Sequence, residues 1–513
     1  MVSSIKNFFR LLIIAKILAR HNALFSLEKL AISPAVIRIS KFLAKGSIST
    51  ESLNLRPGQR LALALNEAGP SFIKLGQALA TRSDFLGEEI AKDLSTLQDK
   101  LPPFEAALAC DIIEEELGQP IEKLFASFEM TPTAAASIAQ VHFAITTEGA
   151  EVAVKVLRPG VEMAFKRDLE LMRWIASMLI LAKPDLKRLK PSESVEALAQ
   201  AVELEMDLRF EAAAAGEISD NFKNDDNFHV PKVDWQRTGR RVLTTERLIG
   251  IPLDQRDTII AAGHDPIEVL RKASEASFKQ VFCDGFFHAD VHPGNLFVMD
   301  TGAIGAVDFG IMGRLDIDTR RWLGEMLLAF LSRDYRRAAE IHFEAGLVPQ
   351  NKSVDAFSQA CRSIAEPILD RPQNEISIGR LLGQLFQITK AFQMEAQPQL
   401  LLLQKTMLVA EGTGRRLAPE ANMWFLARPL IEKWFLKTLS PETRILETVN
   451  GIAKAAVRLP KIISDMEEGA ALLSKGLFKL HPETIEALKK SNKNMHKKVS
   501  FWFILCSLLI TFC

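Results

Sequence analysis

"FFHADVHPGNLFVMD", Phe286 to Asp300, sets two histidines, two aspartates and an asparagine among apolar residues around a Pro-Gly break. Its last apolar run, "LFVM" (Leu296 to Met299), meets "AIGAV" (Ala303 to Val307) across Asp300-Thr301-Gly302, a turn sequence that predicts a β-hairpin. A hairpin returns the chain to the edge it left. Asp290 and Asn295, which precede it, are thereby brought back beside Asp308 of "DFG" (Asp308 to Gly310), which follows it. Three oxygen-bearing side chains at one edge suit Mg²⁺, a hard cation that takes only a few ligands from protein. His288 and His292 stand four apart, as on a metal-binding helix face, but Pro293-Gly294 and the flanking strand signals oppose a helix there. No HExxH is present. Hydrogen bonds that orient the loop are the preferred reading of both histidines, with zinc ligation as the alternative.

The order Asp290, Asn295 five positions on, and Asp308 eighteen positions on matches the metal-holding parts of a protein-kinase active site. There a catalytic-loop Asp faces the acceptor hydroxyl, an Asn binds Mg²⁺, and the DFG Asp bridges metal to phosphate. Upstream, "QVHFAITTEGAEVAVKVL" (Gln140 to Leu157) reads as a hairpin about a Thr-Glu-Gly-Ala turn. Within it Val152-Ala153-Val154-Lys155 places a lysine on a strand, as the phosphate-pairing lysine of a kinase is placed. The Gly-rich loop of ordinary kinases is missing, because none of the 27 glycines falls in a G-x-G-x-x-G pattern. In its place stands "TAAASIAQV", Thr133 to Val141. Alanine tolerates positive φ poorly, so this loop is expected to be stiffer than a glycine loop. A helix start is the plainer reading of the same residues.

Around these motifs the periodicity predicts an α+β fold, a small sheet with helices followed by a mainly helical half. Residues 51–130 read as helix broken at Gly69-Pro70 and Leu101-Pro102-Pro103. Helix returns from Gly160 to about Gly216, interrupted near Lys183-Pro184. A strand is predicted at "RVLTTERL" (from Arg241 to Leu248), a helix over 266–284, and mostly helix beyond 316. The 513-residue chain is 48% apolar and 25% charged, which excludes a disordered class. Net charge is zero, yet residues 1–50 hold eight Lys or Arg against Glu28 alone, and Lys489, Lys490, Lys493, Lys497 and Lys498 form a second basic cluster. Both ends could meet anionic lipid. The five cysteines show no CxxC pair, which fits reduced thiols better than a zinc site or disulfides. "VSFWFILCSLLITFC" (Val499 to Cys513) is a candidate membrane anchor, although as a helix it would reach only about 22 Å of a ~30 Å core. "FFRLLIIAKILARHNAL" near the start, broken by Arg10, Lys16 and Arg20, reads as an amphipathic helix lying on a surface or packed on the protein's own core.

Taken together, the motifs resemble the UbiB family of atypical kinase-like proteins, called ADCK proteins in animals. The resemblance runs from about residue 50 to 440. It rests on "KLGQ" (Lys74, Leu75, Gly76, Gln77), "AAAS" (Ala134 to Ser137), "EMD" (Glu205, Met206, Asp207), "HADVHPGN", "DFGIMGRLD" and "EGTGRRLAPEANMW". It implies a bilobal kinase-like fold with a helical extension over the active site. The expected parts are a basic amphipathic segment (1–50), the extension (51–130), the N-lobe (131–250), the C-lobe (251–440), a basic helical region (441–498) and the tail (499–513). Asp290, Lys155 and Lys74 would be catalytic, and Asn295 and Asp308 would hold Mg²⁺. The nucleotide would meet Ala134, Ala135, Ala136, Ser137, Ile138, Ala139, Gln140, Val141, Lys155, Glu246 and Leu248. Lys74, Gly76, Gln77, Glu205 and Asp207 would form the regulatory motifs. Glu205 is the first choice of acid for Lys155, with pairing to Lys74, or to both, left open.

The family's role in ubiquinone biosynthesis implies an ATP/ADP- and Mg²⁺-binding enzyme at the cytoplasmic face of the inner membrane, held single-pass or peripherally by its tail. Anionic lipid, polyprenyl precursors or their enzymes would be its partners, with no nucleic acid; the oligomeric state stays open. Protein kinase activity, a nucleotide-gated scaffold and a polyprenylphenol hydroxylase are the alternatives, the last opposed by the lack of a dinucleotide fingerprint.

Overall fold

The computed structural model describes residues 2–24, 55–80, 87–94, 97, 101–182, 191–367, 398–419, 421 and 429–434, with scattered positions between 384 and 394. The unit Phe435–Cys513 lies outside the described residues, and with it the second lysine cluster and the apolar tail. Among the described residues no helix is long and apolar enough to cross a membrane.

Strand alternation builds the N-lobe. β1 (Phe125–Phe128), β2 (Ala134–Ala135), β3 (Ala139–Thr146), β4 (Glu151–Leu157) and β6 (Val242–Glu246) form one antiparallel sheet in the order β1-β3-β4-β6, with β2 added beside β3. Gly149, at φ 91°, turns the predicted β3–β4 hairpin. Val152, Val154 and Val156 point to one face and bury against Ala109, Ile112 and Ile113 of the helix Ala106–Leu117. The other face carries Val141, Lys155 and Leu243 in one cross-strand row. The N-lobe therefore starts earlier than the expected boundary at 131. The helix Ala106–Leu117 and β1 already belong to it, because Leu124 and Phe125 fill the same apolar cluster as the valines.

The N-terminal helices are α1 (Val2–Arg20), α2 (Pro57–Ala68), α3 (Pro70–Ala80) and α4 (Glu88–Leu94); Ala106–Leu117 is α5. Pro70 starts α3 directly after Gly69, whose φ of 108° ends α2. α1 packs on the protein's own core: Leu11, Ile14, Ala15 and Leu18 bury against Leu61, Leu65, Phe72 and Leu171. Its opposite side leaves Phe9 and Ile13 exposed. Arg10 closes this contact by bonding Asp168, 3% exposed, at 2.8 and 3.0 Å.

After the first hairpin come α6 (Val161–Ala182), α7 (Pro191–Glu205) and α8 (Leu208–Phe222). Asp207 caps α8 by accepting from the Arg209 amide. Leu208, Ala212, Ala215, Ile218 and Phe222 make its buried stripe. A second sheet, ordered β5-β10-β9-β7, joins β5 (Phe228–His229), β7 (Ile251–Pro252), β9 (Leu296–Val298) and β10 (Ile304–Ala306). β9 and β10 are the predicted hairpin, turned at Gly302 (φ 74°). β8 (Phe286–His288) and β11 (Met312–Arg314) pair separately. α9 (Arg256–Ala261) and α10 (Pro266–Phe278) precede the hairpin, and α10 passes into a π-helical turn, Lys279–Asp284. α11 (Ile317–Leu331), α12 (Tyr335–Glu344), α13 (Val354–Ala365) and α14 (Pro398–Leu417) follow as the expected helical half.

Candidate active site

Lys155 stands at the centre. Its ammonium bonds both carboxylate oxygens of Glu211 at 2.8 and 2.9 Å and Oδ1 of Asp308 at 2.8 Å. Strand β4 aims Lys155 at the face covered by α8, where Leu208 and Ala212 pack with Leu157 and Leu243. Glu211 sits between those two apolar positions and so meets the lysine. The partner expected from sequence was Glu205, and that expectation is corrected. Glu205 lies at the end of α7 and pairs with Lys74 of α3 at 2.9 Å. Glu211 escaped the sequence reading, although one signal marks it: a carboxylate in the apolar stripe of an amphipathic helix.

The charges of the three groups are interlocked. Burial works against the Lys155 ammonium, but Asp308 and Glu211 more than offset it and raise its pKa above the ordinary lysine value. Lys155 holds the Asp308 carboxyl well below the usual range, with a smaller pull from Lys74. Burial pushes Glu211 up to about 7; Lys155 opposes this rise and Asp308 adds to it.

The hairpin does what its position in sequence predicts. Its register pairs Leu296 with Ala306, and the Val307 amide donates to the Asn295 carbonyl at 2.9 Å, so Asn295 and Asp308 share one edge. Asp308 adopts φ 64°, one of four non-glycine residues at positive φ among the described residues, which turns its carboxylate out of the strand toward Lys155. The Asn295 amide nitrogen donates to the Asp290 carbonyl at 3.1 Å, which leaves its Oδ1 as the atom available to a cation. Two oxygen donors beside a fixed ammonium fit a Mg²⁺–phosphate group, with Asn295 and Asp308 holding the ion and Lys155 the phosphate.

Both histidines order the loop. His288 is 2% exposed; its Nδ1 accepts from the Asp290 amide at 3.1 Å, so the proton lies on Nε2, which donates to the Val307 carbonyl at 3.1 Å. His292 Nδ1 accepts from the Gly294 amide at 3.2 Å. Both nitrogens of His288 are thus committed, and no metal-holding cluster of His, Cys, Asp and Glu occurs among the described residues.

The alanine-rich loop is a strand and a tight turn instead of a helix start. Ala134 and Ala135 pair with Val141 and Gln140, the Ala136 amide donates to the Ala139 carbonyl at 2.8 Å, and Arg158 Nε donates to the Ala136 carbonyl at 3.0 Å. No residue from 133 to 141 takes positive φ, so alanine meets the conformation without glycine's freedom. Ser137 and Ala139 are fully buried, and Ile138 packs against the α8 cluster. Gln140 turns to the far side of the sheet, bonding the Phe104 amide at 3.0 Å and His142 at 2.8 Å. Glu246 also faces away, accepting from the Lys232 amide at 3.2 Å. Leu248 packs on Gly305 of the hairpin, where a Cβ would lie 2.5 Å from its Cδ1. In the motifs outside the triad, Gly76 lets Leu65 and Leu97 approach α3, and Asp207 binds Arg209 at 2.6 Å as well as capping α8. Gln77 lies on α3, one turn from Lys74.

A lysine on a sheet, paired to a helix carboxylate and to a DFG aspartate, with an asparagine at the same edge, defines a kinase-like protein. Residues 96–342 match the ABC1 atypical kinase-like domain and residues 361–422 the UbiB helical domain. The chain is 43% identical over 419 residues to "Probable protein kinase UbiB" of Marinobacter nauticus, covering 80% of this chain and 76% of that one. It is 38% identical over 465 residues to the protein of the same name from Shewanella piezotolerans, covering 89% and 83%. Among solved structures, the Mycobacterium tuberculosis protein Rv3197, determined with erythromycin, aligns with a TM-score of 0.51 and 26% identity over 70% of this chain and 91% of that one. The chain belongs to the UbiB family of atypical kinase-like proteins.

Proposed function

We propose that the protein binds Mg-ATP at the Lys155–Glu211–Asp308 triad and cleaves its terminal phosphate in support of ubiquinone biosynthesis at a membrane. The observation that carries this reading is the triad itself, intact and joined to Asn295 through the hairpin. Lys155 would hold phosphate oxygens, Asn295 and Asp308 the metal, and Asp290 would orient the attacking group. Lys74 reaches the field of Asp308 from α3, which supports a site partly covered by its own extension and suited to water or a small acceptor. Phe9 and Ile13, outward on α1 with Lys6 exposed beside them, favour contact with anionic lipid. The energy released would serve the handling of polyprenyl intermediates or their enzymes.

The test is Mg²⁺-dependent ATP hydrolysis by the full chain, with and without anionic liposomes, beside Asp308→Asn. Turnover stimulated by liposomes and lost in the variant is expected. Nucleotide binding without phosphate release under any condition would replace the enzyme with a nucleotide-gated scaffold. Unchanged ubiquinone levels after gene deletion would remove the pathway assignment. The name of the relatives favours a second reading, phosphorylation of a protein; transfer of labelled phosphate to a partner, lost in Asp290→Asn, would select it.

A further inference from the structure

The peptide that joins Ala289 to Asp290 is held at both of its polar ends. Its N–H, on Asp290, donates to His288 Nδ1 at 3.1 Å. Its carbonyl, on Ala289, accepts from the hydroxyl of Thr406 at 3.1 Å. Thr406 lies 117 positions away on α14, in the segment that matches the UbiB helical domain, and is 6% exposed. The same hydroxyl lies 2.9 Å from the Leu402 carbonyl in its own helix. Thr413, on the same helix, makes the ordinary i−4 contact, to the Val409 carbonyl at 2.9 Å. One proton shared between two carbonyls thus bridges α14 to the loop. On the other side of Ala289, its amide donates to the Ile311 carbonyl at 2.9 Å, just after the DFG turn.

We propose that Thr406 is a positioning residue for Asp290: its hydroxyl fixes the tilt of the Ala289–Asp290 peptide and so the direction in which the Asp290 side chain leaves the backbone. Ala289 is fully buried, so its carbonyl has no water to turn to when the hydroxyl is removed. The helical half thereby acts on the catalytic loop through the Thr406 hydroxyl. The effect on turnover rests on the phosphoryl-transfer reading above; the effect on the loop does not.

Thr406→Val keeps the shape and removes the donor, and Thr406→Ser restores it. Three measurements on the full chain distinguish the outcomes: amide hydrogen exchange over residues 286–295, affinity for Mg-ADP, and single-turnover hydrolysis of ATP. Thr406→Val is expected to speed exchange at the Asp290 amide by about tenfold and to slow hydrolysis by about as much, the factor set by one lost buried hydrogen bond. Mg-ADP affinity should stay within about twofold, because Lys155, Asn295 and Asp308 are untouched. Thr406→Ser should return both quantities to the starting values. Exchange at Asp290 unchanged in Thr406→Val overturns the proposal, as does an equal loss of ADP affinity and turnover that Thr406→Ser does not rescue. If the unmodified protein hydrolyses no ATP, the phosphoryl-transfer reading falls, while the exchange measurement still decides the role of Thr406.

Discussion

Glu211 and Asp308 share one lysine, and their pKa values move in opposite directions. That asymmetry has a consequence for stability. Glu211 is raised from 4.5 to about 7, so between those values the folded protein holds a proton that the unfolded chain has released. Its contribution is complete below about pH 4.5 and is lost as pH rises through 7. Asp308 is depressed below 3.8; its contribution is present above that value and lost only in stronger acid. From pH 4.5 to 7 Glu211 therefore acts without cancellation from Asp308. Raising the pH from 5 to 8 should cost the unmodified protein on the order of 2 kcal/mol relative to Glu211→Gln, read from denaturant midpoints without nucleotide. Parallel pH profiles for the two proteins would show that Glu211 does not titrate in this window. A second change acts on the same lysine. Lys155→Met removes the ammonium that both carboxylates share and should lower Mg-ADP affinity by at least about tenfold, measured by calorimetry.

Between elements, some glycines admit contacts that a Cβ would close. A Cβ on Gly313 of β11 would lie 2.1 Å from Cζ of Phe287, which is 1% exposed on the paired strand β8. Gly313→Ala should destabilise the protein by about 2–3 kcal/mol, because the ring has no room to move. Gly263→Ala meets nothing within 4 Å and bears only the strain of its φ of 88°, about 1 kcal/mol. Thermal unfolding of the two variants should rank them in that order. The same scale explains which elements could be read in advance. The β3–β4 and β9–β10 hairpins announce themselves through paired β-forming or apolar runs on either side of a turn that contains glycine. β5, β7, β8 and β11 are two or three residues long, too short to carry a period, and exist because a neighbouring strand accepts them. Lys155, Asp290, Asn295 and Asp308 were legible because each sits in a local motif of fixed spacing. Glu211 and Thr406 act across 56 and 117 positions, and no local pattern records such distances.

At the scale of the whole chain, the described N-terminal helices α1 to α4 are bound to the kinase-like body by an apolar cluster and by ion pairs. Arg10 meets Asp168 across 158 positions, and Lys74 meets Glu205. Arg10→Ala should lower the unfolding midpoint by an amount equivalent to about 1–2 kcal/mol, less than for an isolated buried charge because Arg167 still binds Asp168 at 3.0 Å. Mg-ADP affinity should not change, since Arg10 touches no group of the triad. A loss of affinity equal to that of Lys155→Met would mean that α1 controls the site from a distance.

The bond from Thr406 to Ala289 also sets an order of events during synthesis. At about 5–20 residues per second, the 117 positions between them take roughly 6–23 s to translate. Once Asp308 has been added early in that interval, Lys155, Glu211, Asp290 and Asp308 have all been made, yet the Ala289 carbonyl has no Thr406 hydroxyl to accept from. A nascent chain halted before α14 would hold every charged group of the site with its catalytic loop tethered on one side only.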